Sequence, residues 1–147
     1  MKNLFRLSLL LPIFAMLAPL SSSRAEVFYG VNLSSPLLVS GNFGFYLSQE
    51  AQMDNIALRP VLEAEAGIGG GKLMIGFDSI GDGFGLGLKG SVLRTWFEPI
   101  GADRNTTYFG VEIQGSLQSV VLSLGGYRRV EGDGDGWLGT ISLGLRL

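Results

Sequence analysis

The chain of 147 residues contains no cysteine and no histidine. Without cysteine there is no disulfide, thiolate metal ligand, cysteine nucleophile or lipid-anchored cysteine. Without histidine the chain lacks the commonest general base, and with it Ser–His–Asp and HExxH chemistry. We therefore expect no enzyme and no cofactor, because catalysis here would need an unusual arrangement of carboxylate, Ser or Tyr groups. The length fits one domain.

Long apolar runs are also missing after residue 25, so no transmembrane helix is expected in the rest of the chain. The N-terminus combines the basic residues Lys2 and Arg6 with the apolar run Leu7–Leu20 and then Ser23-Arg24-Ala25. That order is typical of a secretory signal peptide, and Pro12 and Pro19 argue against the alternative of a retained anchor helix. We predict that residues 1–25 are a cleaved signal peptide.

Positive charge is scarce in the predicted mature chain. Lys2, Arg6 and Arg24 belong to the signal peptide, so 8 of the 11 basic residues remain against all 13 acidic ones, a net charge of −5. An acidic chain offers nucleic acid no electrostatic footprint. We expect no nucleic-acid partner.

Glycine, by contrast, is abundant, and all 23 glycines lie within residues 26–147. Each interior glycine costs a helix about 1 kcal/mol relative to alanine, so long helices are not expected. Apolar residues instead alternate with small or polar ones between turn residues, which is the pattern of β-strands. We predict eight strands, over residues 27–33, 38–48, 62–69, 72–78, 84–92, 108–117, 119–129 and 137–147.

One face of each predicted strand is bulky and apolar, and the other is rich in Gly and Ser with single charges. A soluble β-protein puts its apolar face inside. A narrow barrel lumen accommodates small residues instead, and lipid accepts the bulky face. The sequence thus predicts an all-β fold, an eight-stranded antiparallel up-and-down transmembrane β-barrel over residues 26–147. The alternative left open is a lipocalin-like barrel with the alternation inverted, or a barrel cavity, carrying a small apolar ligand.

The charges on the small-residue face are balanced, with four acids and four bases. Buried charges persist when they are paired and hydrogen-bonded, so we expect a salt-bridged, side-chain-filled lumen that does not conduct ions. Glu63 and Glu65 could form a carboxylate pair, but nearby Lys72 and Lys89 are simpler salt-bridge partners. The predicted lumen residues are Glu63, Glu65, Lys72, Asp78, Lys89, Glu112, Arg129 and Arg146.

Apolar residues alternate up to the final position in the end of the last predicted strand, Ile141-Ser142-Leu143-Gly144-Leu145-Arg146-Leu147. With the eight strands, this pattern resembles the small outer-membrane barrels of Gram-negative bacteria, broadly those like outer-membrane proteins A and X. The resemblance implies a location in the cell outer membrane, with the periplasm as the alternative, and a structural or interaction role. It also implies recognition of the last strand by the outer-membrane barrel assembly machinery. Family members usually end in an aromatic residue, whereas this chain ends in Leu147.

If the N-terminus is periplasmic, as the family implies, two arginines and several aromatic residues gather at the outer ends of the last four strands. An aromatic girdle with adjacent cations suits anionic lipid head groups, with lipopolysaccharide phosphates as the partner. The alternative is that both arginines simply extend to water. The expected head-group contacts are Arg94, Trp96, Arg128 and Trp137, beside Phe109. The opposite girdle would contain Tyr29, Phe45, Phe77 and Phe84.

Two loop features remain. Glu131, Asp133 and Asp135 are spaced two apart in a glycine-rich segment and are candidates for binding a hard cation such as Ca²⁺. The alternative is a Gly/Asp hairpin turn, which needs no metal. The longest predicted connections, Gln49–Arg59 and Glu98–Asn105, are where partner contacts are expected.

Overall fold

A computed structural model of the chain describes residues 26–47, 51–53, 56–80, 83–96, 101–131 and 136–147. The predicted signal peptide lies outside these residues. These residues contain no helix with the length and hydropathy that a membrane span requires.

The described residues form nine β-strands, of which eight are 9 to 12 residues long and one has only 3. The strands are β1 (Glu26–Ser35), β2 (Leu38–Tyr46), β3 (Ala51–Met53), β4 (Ile56–Gly67), β5 (Gly70–Ile80), β6 (Phe84–Thr95), β7 (Thr107–Leu117), β8 (Val120–Arg129) and β9 (Trp137–Arg146).

The long strands close into a barrel. From β4 to β9 each strand pairs antiparallel with the next, β9 pairs with β1, β1 with β2, and β2 with β4. The short β3 pairs with the start of β4 and is not part of this ring. The prediction of an all-β, eight-stranded, antiparallel up-and-down barrel is therefore confirmed.

The start of β4 differs from the predicted boundary. We predicted a connection that ends at Arg59 and a strand that begins at residue 62, yet the strand begins at Ile56 and includes Pro60. The Leu47 N–H donates to the Pro60 carbonyl at 2.8 Å. Pro60 has no N–H to return that bond, so the β2–β4 ladder ends there while β4 continues beside β5.

The strands have the two different faces that the sequence predicted. Bulky apolar side chains point outward around the barrel, and the inward positions carry small, polar and charged residues. Several inward positions are glycine because the lumen is narrow. A Cβ added to Gly110, for example, would lie 2.5 Å from the ring of Tyr127.

The two ends of the barrel differ. At the upper end, where β1 turns into β2, Leu37 packs inside the barrel against Leu93, Tyr108, Tyr127 and Leu138. The segment before β7 lies over this cluster, since Asp103 N–H donates to the Tyr108 hydroxyl at 3.0 Å. A cavity of about 10 Å³ lies just below this end, no more than a single water needs. The lower end holds Glu26 and Leu147.

Candidate functional site: an ion-paired lumen

The lumen carries two groups of charged side chains, one above the other. The upper cluster consists of Glu65 on β4, Lys72 on β5 and Glu112 on β7. The Lys72 ammonium lies 3.0 Å from Glu65 and 2.8 Å from Glu112, and all three side chains are buried. Hydroxyls complete the cluster, because Ser40 donates to Glu65 and Tyr127 donates to Glu112.

The lower cluster consists of Glu63, Asp78, Lys89 and Arg146, from four different strands. The Lys89 ammonium lies 2.7 Å from Glu63 and 3.5 Å from Asp78. Arg146 approaches the same two carboxylates at 3.2 and 3.5 Å. The two bases and two acids give this cluster no net charge.

Arg129 does not join either cluster. It lies at the upper rim of the lumen, where its guanidinium pairs with Asp103. The buried set therefore has four acids and three bases, not the balanced eight predicted from the sequence. The excess carboxylate belongs to the upper cluster, where the hydroxyls of Tyr127 and Ser40 donate to the carboxylates in place of a second cation.

Sequence reasoning did not assign the neutral partners of these charges to the site. Gln114 accepts hydrogen bonds from Lys89 at 2.6 Å and from Arg146 at 2.9 Å, and donates to Ser123 at 3.1 Å. Asn42 donates to Glu63 at 2.7 Å. The available signal was their position, because Gln114 lies on the same strand face as Glu112, and Asn42 lies on the small-residue face of its strand.

Two aromatic residues and an ion pair outside the two clusters lie near the lower end of the barrel. The Arg146 guanidinium stacks over the Phe28 ring, 4.2 Å from its centre, and its Nη1 donates to the Tyr46 hydroxyl at 3.1 Å. Arg59 pairs with Glu26 at 2.6 Å. Arg59 was expected in a loop that contacts a partner, and the structure instead places it on β4 in contact with the first strand.

The predicted head-group residues lie at the upper end of the outer wall. Trp96 and Trp137 are exposed there, and Arg128 lies between Phe109 and Trp137 in the strand register. Arg94 is also exposed, but its guanidinium already lies 3.2 Å from Glu131 and 2.8 Å from the Thr107 hydroxyl.

The acidic loop is only partly described. Glu131 lies at its start and pairs with Arg94, whereas Asp133 and Asp135 fall outside the described residues. Among the described residues, no group of three or more His, Cys, Asp or Glu side chains could hold a metal ion.

Comparison of the chain with protein-family models, with curated proteins and with solved structures gives no match.

Proposed function

We propose that this protein is a small β-barrel of the bacterial outer membrane, with a closed, ion-paired lumen and a structural or interaction role at the lipopolysaccharide-containing surface. The observation that carries the proposal is the direction of the faces. Large apolar side chains such as Leu88, Ile113 and Leu124 point outward and are more than half exposed. A barrel in water would bury such residues, whereas lipid is their natural solvent.

Strand length supports the same proposal. The eight barrel strands have 9 to 12 residues, and a tilted strand needs about 9–11 residues to cross the hydrocarbon core. Trp96 and Trp137 lie at one end of the apolar belt, and Tyr29 and Phe84 at the other. Aromatic residues concentrate at both water interfaces of membrane barrels.

The proposed partners are anionic lipid and the outer-membrane barrel assembly machinery. Arg94 and Arg128 lie beside Trp96 and Trp137 on the outer wall, which suits contact with anionic lipid phosphates. Export through the predicted signal peptide would be followed by insertion by the barrel assembly machinery. The last strand, β9, lies beside β1 and closes the ring, as the terminal strand of such a barrel does. The proposed role is not enzymatic.

Membrane fractionation of a Gram-negative host expressing the full chain tests the location. We expect an outer-membrane band that resists carbonate extraction and migrates faster in SDS gels before boiling than after, because the closed barrel stays folded in detergent. A soluble periplasmic band without this shift would contradict the proposal.

The barrel topology is also compatible with the alternative, a lipocalin-like or barrel-cavity carrier of a small apolar ligand. Native mass spectrometry of the gently extracted protein distinguishes the two roles. A carrier would show a reproducible mass of bound ligand, whereas we expect the structural barrel to show the mass of the chain without an apolar ligand. The carrier would lead if the band were periplasmic and the ligand mass recurred.

A further inference from the structure

The outer wall of the barrel carries two apolar grooves, each larger than the cavity of about 280 Å³ at the lower end of the lumen. The first groove, of about 580 Å³, lies between β2 and β6, and small outward residues form its floor. The second groove, of about 620 Å³, lies between β4 and β7, with Gly90 at its floor. The small floor residues of the first groove are Gly41, Ala64, Ala66 and Gly71.

A single ridge separates the two grooves. Leu73 on β5 and Val92 on β6 are paired in the strand register, and both residues line both grooves. Arg94 is the next outward residue above Val92 on β6, so it lies at the top of this ridge. The two grooves therefore descend on either side of one cation.

The Arg94 guanidinium is exposed and has N–H donors that its protein contacts do not use. In the described part of the chain it contacts Thr107 at 2.8 Å and Glu131 at 3.2 Å, both through Nη1. The Arg94 and Glu131 side chains are 53% and 66% exposed, and an ion pair so exposed contributes little to stability. The remaining donors of the guanidinium fork suit the bidentate binding of a phosphate group.

The grooves have the depth of one lipid leaflet. Gly90 lies four residues below Arg94 on β6, which is about 14 Å along the strand, and half of the hydrocarbon core is about 15 Å. The Trp96 ring covers the upper end of the first groove, where a Cβ added to Gly71 would lie 3.3 Å from it. Tryptophan favours the level of the lipid head groups. Both grooves therefore belong to the upper leaflet, which is the lipopolysaccharide leaflet when the lower end is periplasmic.

We propose that the two grooves and Arg94 bind one lipopolysaccharide molecule, through two acyl chains and one phosphate of its lipid A. One acyl chain lies in each groove, on either side of the Leu73–Val92 ridge, and the phosphate accepts hydrogen bonds from Arg94. The inference rests on the proposed function, because it requires the outer wall to face lipid. It goes beyond a general contact of arginines with anionic lipid, since it defines one site with two acyl-chain positions.

Native mass spectrometry of the protein tests the site, with the full chain expressed in a Gram-negative host and purified in a polyoxyethylene detergent. The lipid probes are diphosphorylated lipid A, phosphatidylglycerol as an anionic phospholipid and phosphatidylcholine as a zwitterionic one. We expect saturable binding of one lipid A per barrel. Its affinity should be at least about fivefold higher than that of either phospholipid, because its phosphate monoesters carry more charge toward Arg94.

Three glycine-to-leucine variants test the grooves. A Cβ added to Gly41 or Gly90 would meet no heavy atom beyond its chain neighbours closer than 3.8 Å, so a leucine can point outward there and fill the groove. Gly41→Leu and Gly90→Leu should each bind lipid A at least about fivefold more weakly, the equivalent of about 1.0 kcal/mol. Gly115→Leu is the matched control, because Gly115 on β7 also has open space for a side chain and lines neither groove.

The Arg94→Gln variant tests the phosphate contact and should bind lipid A about fivefold more weakly. A mobility shift on boiling in SDS gels confirms that each variant folds, and the comparison of lipids on the wild-type chain decides the question for any that does not. The proposal is overturned if lipid A does not saturate, if either phospholipid binds as tightly, or if the groove variants bind like Gly115→Leu. These outcomes in an outer-membrane protein leave the proposed location standing, whereas a soluble protein contradicts both proposals.

Discussion

Lys89 has a fully buried side chain, and its ammonium contacts Glu63 at 2.7 Å, Gln114 at 2.6 Å and Asp78 at 3.5 Å. A lysine is almost never buried in this way unless acidic partners surround it. Lys89 and Arg146 are the two cations that balance the Glu63 and Asp78 carboxylates of the lower cluster.

Replacing Lys89 by Met should therefore destabilise the barrel. The change leaves two buried carboxylates facing one guanidinium, and removal of one partner from a buried ion pair costs about 3–5 kcal/mol. Urea unfolding in lipid vesicles, followed by the fluorescence of Trp96 and Trp137, measures the free energy of unfolding.

The double variant Lys89→Met/Glu63→Gln is the control for this prediction. It removes one acid along with the base and restores the charge balance, so part of the lost stability should return. A single variant within about 1 kcal/mol of the wild type, the range of an exposed ion pair, would contradict the buried network.

At the residue scale, the sequence predicted well which side chains face the lumen. It predicted less well which of these side chains form ion pairs with each other. Period-two alternation assigns Glu63, Lys72 and Lys89 to one face directly. Pairing depends on how neighbouring strands are staggered and on the loops above them. Arg129 lies on the same face, but it pairs with Asp103, from the segment between β6 and β7, and not with a lumen carboxylate. The periodicity of the sequence does not predict that contact.

At the scale of single strands, the outward face is the feature that distinguishes lipid from water. Leu124 lies in the middle of β8, between Ile113 on β7 and Ile141 on β9, and Leu117 lies at the lower end of β7. Both leucines point outward and are exposed to a similar extent. Leu124 and Leu117 are therefore two comparable side chains at different heights on the outer surface of the barrel.

Leu124→Arg should destabilise the barrel in phospholipid vesicles by about 2–4 kcal/mol, because the charge would lie near the middle of the bilayer. Leu117→Arg, near the interface, should cost about 0–1 kcal/mol. Urea unfolding of both variants in the same vesicles gives the comparison. Equal and small effects of the two substitutions would indicate that this face is not in lipid.

Strand number and order were predictable because turn residues separate eight alternating segments. The boundaries were less predictable. Strand β4 begins at Ile56, six residues before the predicted start. It includes Pro60, which lies at the end of the β2–β4 ladder, where the missing N–H removes only one bond. The short β3 carries too few residues to give a periodic signal.

At the scale of the whole molecule, the lumen is filled over most of its height. The upper cluster, the lower cluster and the packed residues around Leu37 occupy it in turn. Closure into a barrel was predicted from the strand count, but the packing of Leu37 into the upper end was not. Leu37 follows a turn proline in the sequence, and only the closed barrel gives it an interior to enter.

The reconstituted protein should therefore show no stable single-channel steps in planar bilayers. No continuous water path is expected past the side chains that pack at the upper end. A large porin inserted into the same bilayers is the positive control. Reproducible conductance steps from the purified barrel would contradict a closed lumen.

The contrast between the two ends has a further consequence. With Leu37 and its neighbours packed at one end and open volume at the other, the interior is a dead end, and a solute must leave through the mouth by which it entered. Across a membrane, such a barrel does not equalise the two compartments. Its occupancy follows the composition of one compartment alone, the one on the side of Glu26 and Leu147.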